Sequence, residues 1–310
     1  MSKYVIIPDS NADVSKELQK RFNIVECGTS TVSFPDGSNY QTDGSWDFMQ
    51  PEEFYSFLRK NPNVTTAAHG PEYYESLYEK YLMIGKDVLS IILTSALSST
   101  YNHALEAANK LMKKYPERKV LVLDSLKYSA SELVLVIEAL KCQKDNMSID
   151  ETYQHLLKLR HCVHQAGPMD DLKFLAGKGR ISNGKAFMGT IIGVNPIGEV
   201  TRDGITKVLC KVKGGKKALK VSLEYIKRTI VNPNEATIVI AHSNRKEKAL
   251  LYKEMIEKEI NPKEVILTVI GSACAPNIGP GLCAAYYIGK EISEGLVEES
   301  KIFNDILNNK

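Results

Sequence analysis

Ile91-Ile92-Leu93-Thr94-Ser95-Ala96-Leu97-Ser98-Ser99-Thr100-Tyr101 carries the chain from a short apolar run through five hydroxyl residues into a helical pattern. The apolar part, Val88 to Leu93, reads as a buried strand that ends in a turn. Ser98 and Ser99 are well placed to cap the helix that follows. Two more segments end in the same way: Tyr4 to Ile7 runs into Asp9-Ser10, and Val120 to Leu123 runs into Asp124-Ser125. Amphipathic helical stretches fill the intervals at Val14–Arg21, Pro71–Met83, Ser98–Lys114 and Ser129–Lys144. Strands that alternate with helices imply a parallel sheet. Right-handed crossovers then bring the three hydroxyl-bearing strand ends to one edge, where ligands of open α/β sheets bind.

Outward from this core, the segment 32–46 holds Pro35-Asp36-Gly37 and Asp43-Gly44 and reads as a loop or hairpin near that edge. A helical stretch is expected over Ile149–Val163. Beyond it, glycines at 177, 179, 184, 189, 193, 198 and 204 break up shorter apolar pieces. The pattern predicts an α/β protein of two domains: an N-terminal three-layer parallel-sheet domain over 1–165 and a C-terminal mixed-sheet domain over 166–310. In the second, Asp203-Gly204 marks a hairpin turn. Ala236–Ala241 and Val265–Ile270 read as strands that flank a charged helix over Arg245–Glu259. The glycine-rich Asn277–Gly281 leads into the small apolar Leu282-Cys283-Ala284-Ala285, and its plainest reading is a tight turn before a buried helix.

The 310 residues are 43% hydrophobic and 25% charged, enough for a full core and more than one core usually holds. The 40 basic and 37 acidic residues are scattered, for a net charge of +3, so no basic stripe faces a nucleic acid. Six cysteines without a CxxC pair, no signal-like start and no apolar run of membrane-spanning length point to a soluble cytoplasmic chain with no integral membrane segment.

Five hydroxyls at a strand-to-helix junction suit an anion, because exposed amides and the helix dipole attract it while the hydroxyls donate to it. A small carboxylate or a phosphate fits. Thr65-Thr66 forms a second hydroxyl pair before Ala67-Ala68-His69-Gly70-Pro71. His69 on its own is more often a surface residue than a ligand. Gly279 and Gly281 would allow backbone amides close to an anion, although the segment matches neither a P-loop nor a dinucleotide fingerprint. His155, His161 and His164 lack a carboxylate or thiol at a recognised spacing, so no metal is assigned. GxSxG is absent.

Taken in order, these residues resemble the DegV family of bacterial fatty-acid-binding proteins. The resemblance rests on Asp9-Ser10 with Asp13, Pro35-Asp36-Gly37 through Tyr55, Thr66 before Pro71, Ser95 with Leu97-Ser98 and Thr100-Tyr101, and Asp124-Ser125. In the second half it rests on Leu172 through Gly179-Arg180-Ile181-Ser182, Asn195-Pro196, Asp203-Gly204, His242-Ser243 and Gly279-Pro280-Gly281. It implies a carrier with no catalytic group and no cofactor. Such a carrier shelters a long-chain fatty acid and presents it to a separate fatty acid kinase, feeding phospholipid metabolism.

The resemblance places the carboxylate at Thr66, at Ser95 or Ser98, and at position 277. Arg180, Gly279 and Gly281 are in supporting positions, and the acyl tail is sheltered by the second domain; with asparagine at 277, either Asn277 itself or the imidazole of His69 is expected to take the place of the usual histidine. This chain departs from the family pattern in carrying Asn277 where a histidine is usual, Ala67-Ala68-His69 where Ser-Gln-Pro is usual, Ser99 for a glycine and Lys213 for an arginine. Two rival readings use the same residues. One is a hydrolase or phosphotransfer enzyme built on Asp9 or Asp124 and the strand-end serines. The other is a binding module for another anionic lipid. Asp-Ser is also ordinary turn chemistry, which would make the two aspartates ties for their loops.

Overall fold

The computed structural model describes residues 3–170, 172–182 and 193–308. Gly184 and Gly189, used above for the domain pattern, lie outside the described residues. The chain forms two compact units, each discontinuous in sequence, where the glycine pattern suggested one cut near residue 165. The first holds 1–48, 64–160 and 271–274; the second holds 49–63, 161–270 and 275–310.

In the first unit, β1 (Tyr4–Pro8) leads to α1 (Lys16–Phe22), then to the hairpin strands β2 (Ser30–Ser33) and β3 (Asn39–Thr42). After α2 (Pro51–Lys60), which belongs to the second unit, come β4 (Thr65–Ala67), α3 (Pro71–Met83), β5 (Asp87–Ile92), α4 (Thr100–Lys114), β6 (Val120–Asp124), α5 (Ala130–Lys144) and α6 (Ile149–Leu159). The order β1-β5-β6 is all parallel, with Ile6 opposite Leu89 and Leu89 opposite Leu121. The three strands are buried almost throughout, as their continuous apolar runs demand.

Helix α3 begins with Pro71 in its first turn and buries Tyr74, Leu77, Tyr78, Tyr81 and Leu82, one apolar stripe at helical spacing. Helix α5 is buried on nearly every face and carries Glu132 into the interior. Ser148 and Glu151 form a capping box that starts α6. This helix stops at Leu159, short of the expected Val163, and Val163 opens a strand instead.

The second unit holds α2 together with β7 (Val163–Ala166), α7 (Lys173–Gly177), β8 (Val194–Val200), β9 (Thr206–Lys213), α8 (Gly215–Thr229), β10 (Thr237–His242), α9 (Lys246–Glu259), β11 (Glu264–Val269), α10 (Ala275–Ile278), β12 (Cys283–Ile288) and α11 (Val297–Asn308). Its main sheet runs β11-β10-β12-β7, with β10–β11 parallel and the other pairs antiparallel. Alternate residues Ile238 and Ile240 of β10 and Cys283, Ala285 and Tyr287 of β12 join one core with Leu219 and Ile226 of α8, Tyr252 of α9 and Phe303 of α11. The stretch Leu282–Ala285, a buried helix on its plainest reading, instead opens at Cys283 into the central strand β12. A fully buried run of small residues carries no periodicity that separates the two. The Asp203-Gly204 turn does close the β8–β9 hairpin. Among the described residues, no helix is long and apolar enough to cross a membrane.

Candidate functional site

The strand ends of the first unit are held by carboxylates. Asp9, just past β1, accepts the amides of Asn11 at 2.6 Å and Leu93 at 3.0 Å, and so ties the end of β1 to the end of β5. Burial pushes its pKa up to about 6. Asp124, at the end of β6, accepts the Ser95 amide at 3.1 Å and the Leu126 amide at 3.2 Å on Oδ1, and the Ser95 hydroxyl at 2.5 Å on Oδ2. Arg160 donates to the Asp124 carbonyl at 2.6 Å. Both aspartates are thus ties for loops, as Asp-Ser turn chemistry suggested.

Within the turn itself, Thr94 Oγ1 accepts the Ala96 amide at 3.3 Å. Ser98 Oγ accepts the Thr100 amide at 3.3 Å and lies 2.8 Å from Thr100 Oγ1. Ser99 occupies the N-cap position of α4 without a side-chain cap bond, so Ser98 performs the local capping. Ser95 is exposed and Ser98 half-buried, which leaves both open to a ligand.

Thr66 lies in β4 opposite Val32 and is half-buried, whereas its neighbours Thr65 and Ala67 are exposed. Three residues on, His69 is held in place: its Nε2 lies 3.1 Å from Thr29 Oγ1, and its ring packs at a tilt of 31° against Tyr73, 4.2 Å between centroids. Thr29 in turn donates its hydroxyl and its amide to the Tyr73 oxygen at 3.0 and 2.7 Å. Burial lowers the His69 pKa, favouring the neutral ring. The carbonyl of His69 lies 2.7 Å from Nδ1 of His103 in the first turn of α4, so the loop after Thr66 is fastened to the helix that follows Ser98. In this way the first unit sets its two predicted hydroxyl loops side by side.

The other sequence-predicted positions belong to the second unit. Asn277 lies in the short α10 and is half-buried. Gly279 has φ +76°, and an added Cβ would meet the Phe174 ring at 2.3 Å; at Gly281 (φ +116°) it would meet Asp170 Cβ at 2.9 Å. Their amides are already engaged, Gly279 with the Ala275 carbonyl at 2.8 Å and Gly281 with the Ser243 carbonyl at 2.9 Å. Close packing, together with positive φ, accounts for these glycines. Arg180 donates to the Lys178 carbonyl.

Sequence reasoning missed a cavity of about 590 Å³ in the second unit, walled by Phe174, Pro62 and Pro280. Its lining carries Arg59, Lys173, Lys178 and Arg245. The acid beside them, Asp170, is held by Arg245 Nε at 2.5 Å and Lys248 Nζ at 2.7 Å. Burial and the nearby Arg180 charge lower the Lys178 pKa. Nothing in the linear order signals this grouping, because α2, α7 and the loops after β10 and α10 supply it from distant parts of the chain. His164, weighed above as a metal ligand, has both ring nitrogens engaged: Nδ1 lies 2.9 Å from Glu199 and Nε2 lies 2.7 Å from the Lys290 carbonyl.

The class is that of a two-unit mixed α/β protein whose first unit presents hydroxyls at parallel strand ends. Residues 3–290 match the family model described as "Uncharacterised protein, DegV family", and the chain belongs to the DegV family. A DegV domain-containing protein of Clostridium perfringens is 32% identical over 289 residues, 93% of this chain and 98% of its own. Solved structures share the fold. A DegV family protein from Thermus thermophilus, described for its fatty acid binding, has a TM-score of 0.82 at 22% identity, covering 93% of this chain and 100% of that one. A stearic acid-binding protein from Eubacterium ventriosum has a TM-score of 0.79 at 22% identity, covering 93% and 99%.

Proposed function

We propose that this chain is a non-catalytic carrier that holds a long-chain fatty acid by its carboxylate and presents it to a separate fatty acid kinase in the cytoplasm. The observation that carries the reading is the pairing of two hydroxyl loops, Thr66 and Ser95–Ser98, at the parallel strand ends, fastened together through His69 and His103. Family membership and the fatty-acid binding of the Thermus and Eubacterium proteins support it. We assign the carboxylate to Thr66, Ser95 and Ser98, with Asn277 as a further donor, and the acyl tail to the second domain. A tail of about fourteen methylenes at about 0.8 kcal/mol each contributes on the order of 11 kcal/mol gross, against about 1.5–3 for a charge-assisted hydrogen bond. The tail supplies affinity and the hydroxyls supply position.

The enzyme reading is disfavoured by the use to which both acids are put. Asp9 and Asp124 accept two backbone amides each, and these bonds commit their oxygens to holding the loops together. Native mass spectrometry of protein purified from cells tests the carrier reading: a retained fatty acid is expected. Ligand-free protein that also takes up neither labelled palmitate nor oleate would sink it. Ser95→Ala and Thr66→Val should each weaken retention. The cationic cavity of the second unit favours a second reading, a module for some other anionic lipid. Displacement of the native ligand by a fatty acid panel separates the two.

A further inference from the structure

We infer that Asp124 is a positioning residue that tempers the affinity of the carboxylate site by holding the one hydroxyl proton of Ser95, an inference that rests on the fatty-acid reading above. Ser95 Oγ donates to Asp124 Oδ2 at 2.5 Å while the Ser95 amide donates to Oδ1 at 3.1 Å. A serine hydroxyl has one proton, and a ligand carboxylate can only accept. Ser95 therefore donates to a ligand only by releasing Asp124, which would leave two carboxylates flanking one hydroxyl.

Asp124 is not free to swing away. Its Oδ1 also accepts the Leu126 amide at 3.2 Å, and its backbone carbonyl is fixed by Arg160 at 2.6 Å. Ser98 stands in a different position. Ser98 and Thr100 share one hydrogen bond at 2.8 Å between two hydroxyls, so one of their two protons remains for a ligand. The cradle thus offers a ready donor at Ser98–Thr100 and a withheld one at Ser95. A protein that must hand over its ligand gains from such a restraint, because one weakened donor eases release while Ser98–Thr100 still positions the carboxylate.

Asp124→Asn should reverse the bond. The Asn Oδ1 still accepts the Ser95 and Leu126 amides, while its NH₂ donates to Ser95 Oγ and leaves the hydroxyl proton to the ligand. The full chain, stripped of lipid, is titrated with radiolabelled palmitate. Asp124→Asn should bind roughly tenfold more tightly than the parent, the scale of one charge-assisted hydrogen bond. Ser95→Ala should bind more weakly than the parent, and Ser95→Ala/Asp124→Asn should match Ser95→Ala.

Equal or weaker binding by Asp124→Asn with an unchanged thermal melt would overturn the inference. So would a double variant that gains over Ser95→Ala as much as Asp124→Asn gains over the parent, since Asp124 would then act as a bare charge. If Asp124→Asn does not fold, Asp124→Ala, which also frees Ser95, carries the same expectation. A parent protein that binds no palmitate removes the fatty-acid reading itself, an outcome distinct from parental binding with no gain in the variant.

Discussion

Asp13 Oδ1 accepts the backbone amide of Gly271 at 2.7 Å, joining positions 258 residues apart. The other oxygen of Asp13 accepts the Ser129 hydroxyl, so one buried carboxylate fastens the loop after β1, the turn before α5 and the segment after β11. Asp13→Ala should destabilise the protein by about 1–3 kcal/mol for the Gly271 amide alone, because a buried donor is left without an acceptor. Asp13→Asn keeps an acceptor for that amide and should lose less. Urea denaturation of the full chain measures both, and equal losses would mean the Gly271 bond is not what matters.

Asp9, Asp13 and Glu132 are buried together in the first unit. Burial pushes Asp9 up to about 6 and Asp13 up to about 7; burial, then the Asp9 charge, raises Glu132 well above the usual carboxylate range. From about pH 4 to 7 the folded protein therefore binds more protons than the unfolded chain, so stability should fall as pH rises through that window. Glu132→Gln removes an ionisation that only the unfolded chain can exploit. It should stabilise by on the order of 1–3 kcal/mol at pH 7 and by less at pH 5. Urea midpoints at the two pH values check the sign, and a parent that gains stability on going from pH 5 to 7 contradicts it.

In the second unit the Glu199 carboxylate is completely buried and accepts the amides of Gln165 and Val200, the Tyr225 hydroxyl and, at 2.9 Å, His164 Nδ1. His164→Phe keeps a ring stacked on Tyr287 but strips Glu199 and the Lys290 carbonyl of a partner. A loss of roughly 3–5 kcal/mol is expected, with part of it restored by adding Glu199→Gln. A double-mutant cycle in urea measures the coupling; simple additivity would argue against the pair.

Gly279 combines a positive φ with the Phe174 ring at the place a Cβ would occupy. Gly279→Ala should cost about 1–3 kcal/mol through left-handed strain and overpacking. Phe174→Ala in the same chain should recover the packing part and leave the strain. Thermal melts of the three variants separate these contributions, and no recovery in the double variant would remove Phe174 from the account.

Periodicity made much of the fold legible. The expected helix over Pro71–Met83 has those bounds, and β1, β5 and β6 fall within a residue of the apolar runs that announced them. β7 and β12 were not legible, because four or five fully buried residues look alike as strand or helix. At the candidate site, Asp9 and Asp124 declared themselves as turn residues, and the structure uses them so. Sequence could not tell that Ser95 gives its proton to Asp124, nor that His69 is anchored by Thr29, since both bonds depend on how separate loops meet. The cationic wall of the second unit was hidden for the same reason.

The short segment Gly271–Cys274 belongs to the first unit although the residues on either side of it belong to the second. On the ribosome, where domains commonly fold in order of synthesis, the first unit is still missing a piece when its last long stretch ends at Arg160. Asp13 has no Gly271 to meet until more than a hundred further residues have been made. Completion of the N-terminal unit is therefore a late event in translation, and a nascent chain halted before residue 271 should remain protease-sensitive in the part made first.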